Sequence, residues 1–117
     1  MTTLNETEIF ALKAIFRNGG ILALEILDQI PIATVIRREL TGPGFFTEIR
    51  LGCPIRTMPD LRMYEFNFRY PAFQHGGSFM CAIVAVDRIE IEAVSLGGEL
   101  WPEKLEISSS EELAPLP

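Results

Sequence analysis

Phe79-Met80-Cys81-Ala82-Ile83-Val84-Ala85-Val86, then Asp87-Arg88, then Ile89-Glu90-Ile91-Glu92-Ala93-Val94-Ser95-Leu96, is the stretch on which the fold turns. Its first eight residues are apolar without a break, far short of the roughly 20 that a membrane-spanning helix requires. They read as a central strand covered on both faces. The second run alternates from Ile89 to Glu92, the pattern of a strand with one wet face. Asp87-Arg88 between them makes the pair a hairpin, and Gly97-Gly98 closes the sheet region.

Upstream, Tyr64, Phe66, Phe68 and Tyr70 alternate with Glu65, Asn67 and Arg69, which predicts a half-buried strand. Pro71 to Gly77 reads as a loop, as does Gly52 to Arg62 with Pro54 and Pro59. Ile32 to Leu40 and Phe45 to Leu51 flank the turn residues Thr41-Gly42-Pro43-Gly44 and form a second hairpin. Pairing Leu40 with Phe45 sets its register, placing Ile36 opposite Ile49 and Arg37 opposite Glu48. One conflict follows. Arg38 falls on the same face as Ile36 and Leu40, which requires either a position at the sheet margin or a bulge.

The N-terminal part has helical spacing instead. Ile9, Leu12, Ile15 and Phe16 recur on one face, Asn5 or Thr7 is placed to cap, and Glu6 and Glu8 favour the first turn. Gly19-Gly20 stops this helix, and Ile21 to Ile30, ended by Pro31, forms a second. The expected architecture is therefore α+β, with an N-terminal helical hairpin packed on a mostly antiparallel sheet of about five strands and Phe79 to Val86 central. One domain, residues 1–107, accounts for a chain of 117 residues, with 108–117 as a mobile acidic Ser/Pro tail.

Composition excludes several functions. A hydrophobic share of 48% against 22% charged is that of a globular chain rather than a disordered one. The formal charge of −6, from 10 basic and 16 acidic residues, argues against nucleic acid as a partner. All of it falls in residues 89–117, where seven acids face only Lys104. Met1 to Glu8 holds two glutamates and no basic residue, unlike a secretory signal, so a cytoplasmic protein without membrane attachment is expected. Cys53 and Cys81 lack C-x-x-C spacing and read as reduced, buried thiols, and with a single histidine they make no zinc site.

Candidate chemistry is sparse. His75 is the one histidine, and a base at His75 with Cys81 or Ser78 as nucleophile, or a pocket formed by His75, Tyr70, Cys81 and Glu65, is the enzymatic or small-molecule reading. A loop histidine beside turn glycines is the plainer one. Glu90 and Glu92 sit side by side on one strand face, the spacing of paired acids or hard-metal ligands and equally that of a solvated strand. No third acidic segment supports a metal, no phosphate loop is present, and no cofactor is implied. Trp101, in Gly98-Glu99-Leu100-Trp101-Pro102-Glu103, is either an interface anchor or a lid over the core.

The two helices, Gly52-Cys53-Pro54-Ile55, the apolar strand, the hairpin at Asp87-Arg88-Ile89, and Gly98-Glu99 with Trp101-Pro102 beyond resemble a family of small bacterial domains of unknown function. Its members carry a G-C-P-small-aliphatic segment and end with a D-G-R-hydrophobic hairpin followed by G-E and proline. The resemblance spans most of residues 5 to 105, with no glycine in the hairpin turn here and Ile55 in place of a small residue. It implies the α+β fold and a bacterial cytoplasmic origin, and it brings no activity. The functional expectation is a non-catalytic protein-binding module, an inhibitor or immunity-type partner of a basic protein, with Glu90, Glu92, Glu99 and Glu103 steering and Trp101 anchoring the contact. The alternative is the pocket around His75, and a homodimer fits either.

Overall fold

The computed structural model describes residues 2–105 as two short helices and one five-stranded antiparallel sheet. The expected tail lies outside the described residues. The elements are α1 (Glu6–Ile15), α2 (Ile21–Leu27), β1 (Thr34–Leu40), β2 (Gly44–Arg50), β3 (Met63–Tyr70), β4 (Phe73–Ala85) and β5 (Arg88–Ser95). The strands lie in the order β1-β2-β5-β4-β3. Two hairpins, β1-β2 and β3-β4, are thus joined by β5, which returns from β4 to fill the gap beside β2.

Alternation along β5 fixes what each face of the sheet carries. Ile89, Ile91, Ala93 and Ser95 are buried, and they lie in line with Ile49 and Thr47 of β2 and with Ile83, Cys81 and Phe79 of β4. Phe66 and Phe68 of β3 continue this inward face, where Phe68 stacks on Phe79 at 4.8 Å between centroids. α1 covers it along β3 and β4, with Phe10 edge-on to Phe79 and Phe16 against Tyr64. α2 contributes Ala23 and Ile26 to the same core.

α2 ends at Leu27, short of Ile30, in a series of tight turns running to Ala33. Gln29 explains the stop. Its buried amide donates to the Glu25 carbonyl and accepts the Cys53 N–H at 2.6 Å, tying the helix end to the segment after β2.

Three expectations are corrected. First, the Phe79 to Val86 run is interior but not the middle strand, and it is covered on one face only. Phe79, Cys81 and Ile83 are buried, whereas Met80 and Ala82 are half-buried and Val84 is exposed. Among the described residues the helices lie on one side of the sheet, and no element covers the outward side. Second, Phe73 to Gly77 is strand, and only Pro71-Ala72 turns. Gly77 pairs with Phe68, and the space its missing side chain leaves is filled by the Phe68 ring, the close approach for which strand glycines are kept. Third, Cys53 is exposed, and only Cys81 is buried.

Gly44 carries a stricter constraint, since a Cβ there would collide with the Ala93 carbonyl of the neighbouring strand. Backbone cannot yield as a flexible side chain does. Gly44→Ala is therefore expected to cost about 3 kcal/mol or more, read as a lowered urea midpoint with an unchanged slope.

Candidate functional site

The Arg38 conflict in the sequence leads to a buried, multiply hydrogen-bonded polar group. The β1-β2 register runs Leu40 to Phe45 and Arg37 to Glu48 as expected, then slips between Val35 and Arg37, so that Ile36 bulges out and is 42% exposed. Arg38 keeps its place on the inward face, opposite Thr47. There it meets Glu8, whose side chain is 1% exposed.

Glu8 stands at the third position of α1, after Asn5 at the cap. The Asn5 side chain accepts the Glu8 N–H, and the Glu8 carboxylate accepts the Asn5 N–H at 2.8 Å, a reciprocal capping box. The same carboxylate accepts Arg38 Nε and Nη2 in a two-pronged ion pair and the Thr47 hydroxyl, each at 2.8 Å. Arg38 Nη2 also donates to the Thr3 carbonyl at 2.9 Å. Burial by itself would raise the Glu8 pKa. The bonds from Arg38, the Asn5 N–H and Thr47 together outweigh it and hold the carboxyl below the ordinary glutamate range. A carboxylate with all its acceptor positions filled does not act as a general base.

Beside this pair lies a cavity of about 220 Å³. Its apolar wall comes from Leu40, Phe45, Trp101 and Leu105, and its polar wall includes Asn5, Thr7, Arg38 and Thr47. Trp101 is held by three rings, Phe45 at 5.5 Å, Phe73 at 5.3 Å and Phe79 at 6.1 Å, and its N–H donates to the Gly42 carbonyl through the backbone. It is half-buried, serving as core and as cavity wall together. A second, more open hollow of about 430 Å³ lies between α2 and the segment around Cys53.

The residues singled out for partner binding fall in three places. Glu90 and Glu92 project from β5 on the outward face of the sheet. Glu99 is engaged at the end of β5, where its carboxylate accepts the Gln74 N–H and its carbonyl accepts the Ser95 hydroxyl. That Gln74 bond is the main reason its pKa sits below the ordinary value. Trp101 and Glu103 border the cavity on the helical side. The alternative set does not gather either. His75 is exposed on β4, Cys81 faces the core at 0% exposure, and Glu65 is on the outward face across from Met80. Tyr70 packs on Phe73. None of the four lines either hollow. Burial pushes the Cys81 thiol up to about 12, which leaves it unreactive as a nucleophile. Among the described residues no group of three or more His, Cys, Asp or Glu side chains is placed to hold a metal, and no helix is long and apolar enough to cross a membrane.

Sequence reading missed Glu8, Thr47, Leu40 and Phe45 as members of a site. Two signals pointed there: Asn5-x-x-Glu8, which is capping-box spacing, and the misfit of Arg38. No family model matches this chain, and neither a curated protein nor a solved structure is similar to it.

Two outcomes follow. Arg38→Met leaves the Glu8 charge buried and unpaired and is expected to cost about 3–5 kcal/mol at pH 7. Because the folded pKa of Glu8 lies below its unfolded value, the pair's contribution is present at neutral pH and is lost as pH falls through the folded pKa. The gap between wild type and Arg38→Met should then narrow in urea titrations at pH 3, and Glu8→Met added to Arg38→Met should recover most of the loss at pH 7. Separately, a maleimide should label one thiol per folded chain, at Cys53, with Cys81 reacting only after denaturation.

Proposed function

We propose that this chain is a cytoplasmic, non-catalytic binding protein that receives a basic protein, as an inhibitor or immunity-type module does, on the outward face of its sheet. One observation carries the reading: among the described residues nothing covers that face, and it combines an apolar centre with carboxylates that no described cation neutralises.

The centre is Phe46, Met80, Ala82 and Val94, all half-buried, with Val84 at 43% and Met63 at 55% exposure at its margin. Cross-strand pairing sets the charges around it. Glu48 is directly opposite Glu90, a repulsive placement relieved because Arg37 and Arg88 both reach Glu48. Arg37 also lies over the Phe46 ring and pairs with Glu39, and Arg50 reaches Asp87. The guanidinium groups at the β1-β2 end are thus occupied. Glu90 and Glu92 on β5 and Glu65 on β3 have no ion pair among the described residues, and they form a negative row across the sheet.

A basic surface complements that row. Apolar contact at the centre with charge at the margin is the usual anatomy of a protein interface, and the acids raise the rate of encounter.

Affinity capture from the source cell with wild type and with Glu65→Lys/Glu90→Lys/Glu92→Lys tests the reading. A basic protein retained by wild type at low salt, and bound at least about tenfold more weakly by the triple variant, supports it. Equal retention by both, or a retained protein with no basic surface, overturns it. Light scattering of the isolated chain separates a partner of another kind from a second copy of this one.

A further inference from the structure

The cavity beside Trp101 lies on the helical side of the sheet, away from the outward face, and its chemistry is different. We propose that it binds a small uncharged molecule with a compact apolar body and one acceptor oxygen, such as the carbonyl of an amide or ketone.

Size sets the first limit. An apolar cavity of about 150 Å³ is known to hold benzene. The 220 Å³ here accommodates a ring with a short polar arm. Leu40, Phe45, Trp101 and Leu105 supply the apolar contact; Leu105 is buried and Leu40, at 83% exposure, forms the mouth.

The hydrogen-bond inventory sets the second limit. Glu8 already accepts four bonds, and the Thr47 hydroxyl donates to it, so neither offers the ligand an unused carboxylate position or proton. What is left in the lining is the Thr7 hydroxyl, the Glu39 carboxylate already paired with Arg37, the exposed Glu103 carboxylate, and three donors. Arg38 uses Nε and Nη2 on Glu8 and Thr3, and among the described residues Nη1 has no acceptor. The Asn5 side chain accepts from Glu8 through Oδ1, and its Nδ2 has no partner among the described residues. The Trp101 indole N–H has none there either. Three such donors on residues lining one largely apolar hollow favour a molecule that presents an acceptor.

Charge sets the third. Arg38 is balanced by Glu8, and Glu39 pairs with Arg37, while Glu103 at the border is exposed and without an ion pair among the described residues. The surroundings are slightly negative, which disfavours a carboxylate. The Arg38 guanidinium disfavours an ammonium group beside it, and the exposed Glu103 carboxylate is screened by water. An uncharged acceptor satisfies both conditions.

Trp101 is the only tryptophan in the chain, so its emission reports on this cavity alone. Three probes share one ring and differ in head group: phenylacetamide, phenylacetate and phenethylamine. Phenylacetamide is expected to change the emission saturably with a Kd of about 1 mM or below, in keeping with its size, and the charged probes to bind at least about fivefold more weakly. Leu40→Glu places a charge at the mouth on an exposed residue outside the Glu8 network and should weaken phenylacetamide at least about threefold. Trp101→Phe, followed by ligand-observed NMR, should weaken it further through loss of the indole donor. Saturation by none of the probes, tightest binding of the ammonium or the carboxylate, or unchanged affinity in Leu40→Glu overturns the proposal. The Glu65→Lys/Glu90→Lys/Glu92→Lys variant should bind phenylacetamide as wild type does, so the two readings fail or stand separately.

Discussion

A carboxylate buried to 1% exposure is tolerated only if something answers every acceptor position it has, and Glu8 is answered from three directions at once. The cap of α1 supplies the Asn5 N–H, β1 supplies the Arg38 guanidinium, and β2 supplies the Thr47 hydroxyl. Each donor constrains its own element. Arg38 must face inward although its neighbours are a sheet edge, and the chain meets that demand by bulging Ile36 outward, the commonest way for a strand to re-aim a side chain. The N-terminal segment is drawn in as well, through Thr3 to Arg38 and through Thr2 to the Val35 N–H. A well-packed apolar replacement for such a pair is often no less stable. The Glu8–Arg38 pair does tie β1 to this register, since a slip of β1 would carry Arg38 away from Glu8.

This one-sided demand also explains why the sheet has two unlike faces. Helix α1, the Glu8 network and the Trp101 segment all crowd the inward side, and no described residues remain to cover the other. The uninterrupted apolar run in β4 is therefore misleading if read as doubly buried. Its inward members, Phe79, Cys81 and Ile83, are core, while Met80 and Ala82 are the apolar centre of an open surface. Alternation alone therefore separates core from surface in a strand whose sequence is apolar throughout.

Where one physical rule acted alone, the fold was legible in the sequence. The Leu40–Phe45 and Arg37–Glu48 pairs follow from turn chemistry and a period of two, and so do the alternation of β3 and the hairpin at Asp87-Arg88. It was illegible where two rules competed. Phe73 to Gly77 carries turn-forming glycines, yet the need of Phe68 for space makes Gly77 a strand residue. Cys53 carries the burial tendency of its residue type, yet it sits in a segment held by its backbone N–H to Gln29, which leaves the side chain outside. The candidate site was half visible. Arg38 was a recognisable misfit, but its partner lies 30 positions away on a helix, and a contact of that separation has no periodicity to betray it.

The charge of the C-terminal quarter shows the same limit in another form. Seven acids stand against Lys104 in residues 89–117, which invites the idea of one acidic edge. Folding sorts the described ones by alternation and by local hydrogen bonding instead. Glu90 and Glu92 go outward between Ile89, Ile91 and Ala93, Glu99 is held by the Gln74 N–H, and Glu103 comes round to the helical side beside Trp101. β5 is the element that separates them. Its inward residues pack against the same layer that walls the cavity, with Ala93 aligned between Phe45 and Phe79, two of the three rings that support Trp101. Its outward residues carry the acidic row. The absence of a side chain at Gly44 lets β2 lie against the Ala93 carbonyl of β5, so a single pair of strands holds both in place, the open acidic face on one side and the Trp101 hollow on the other.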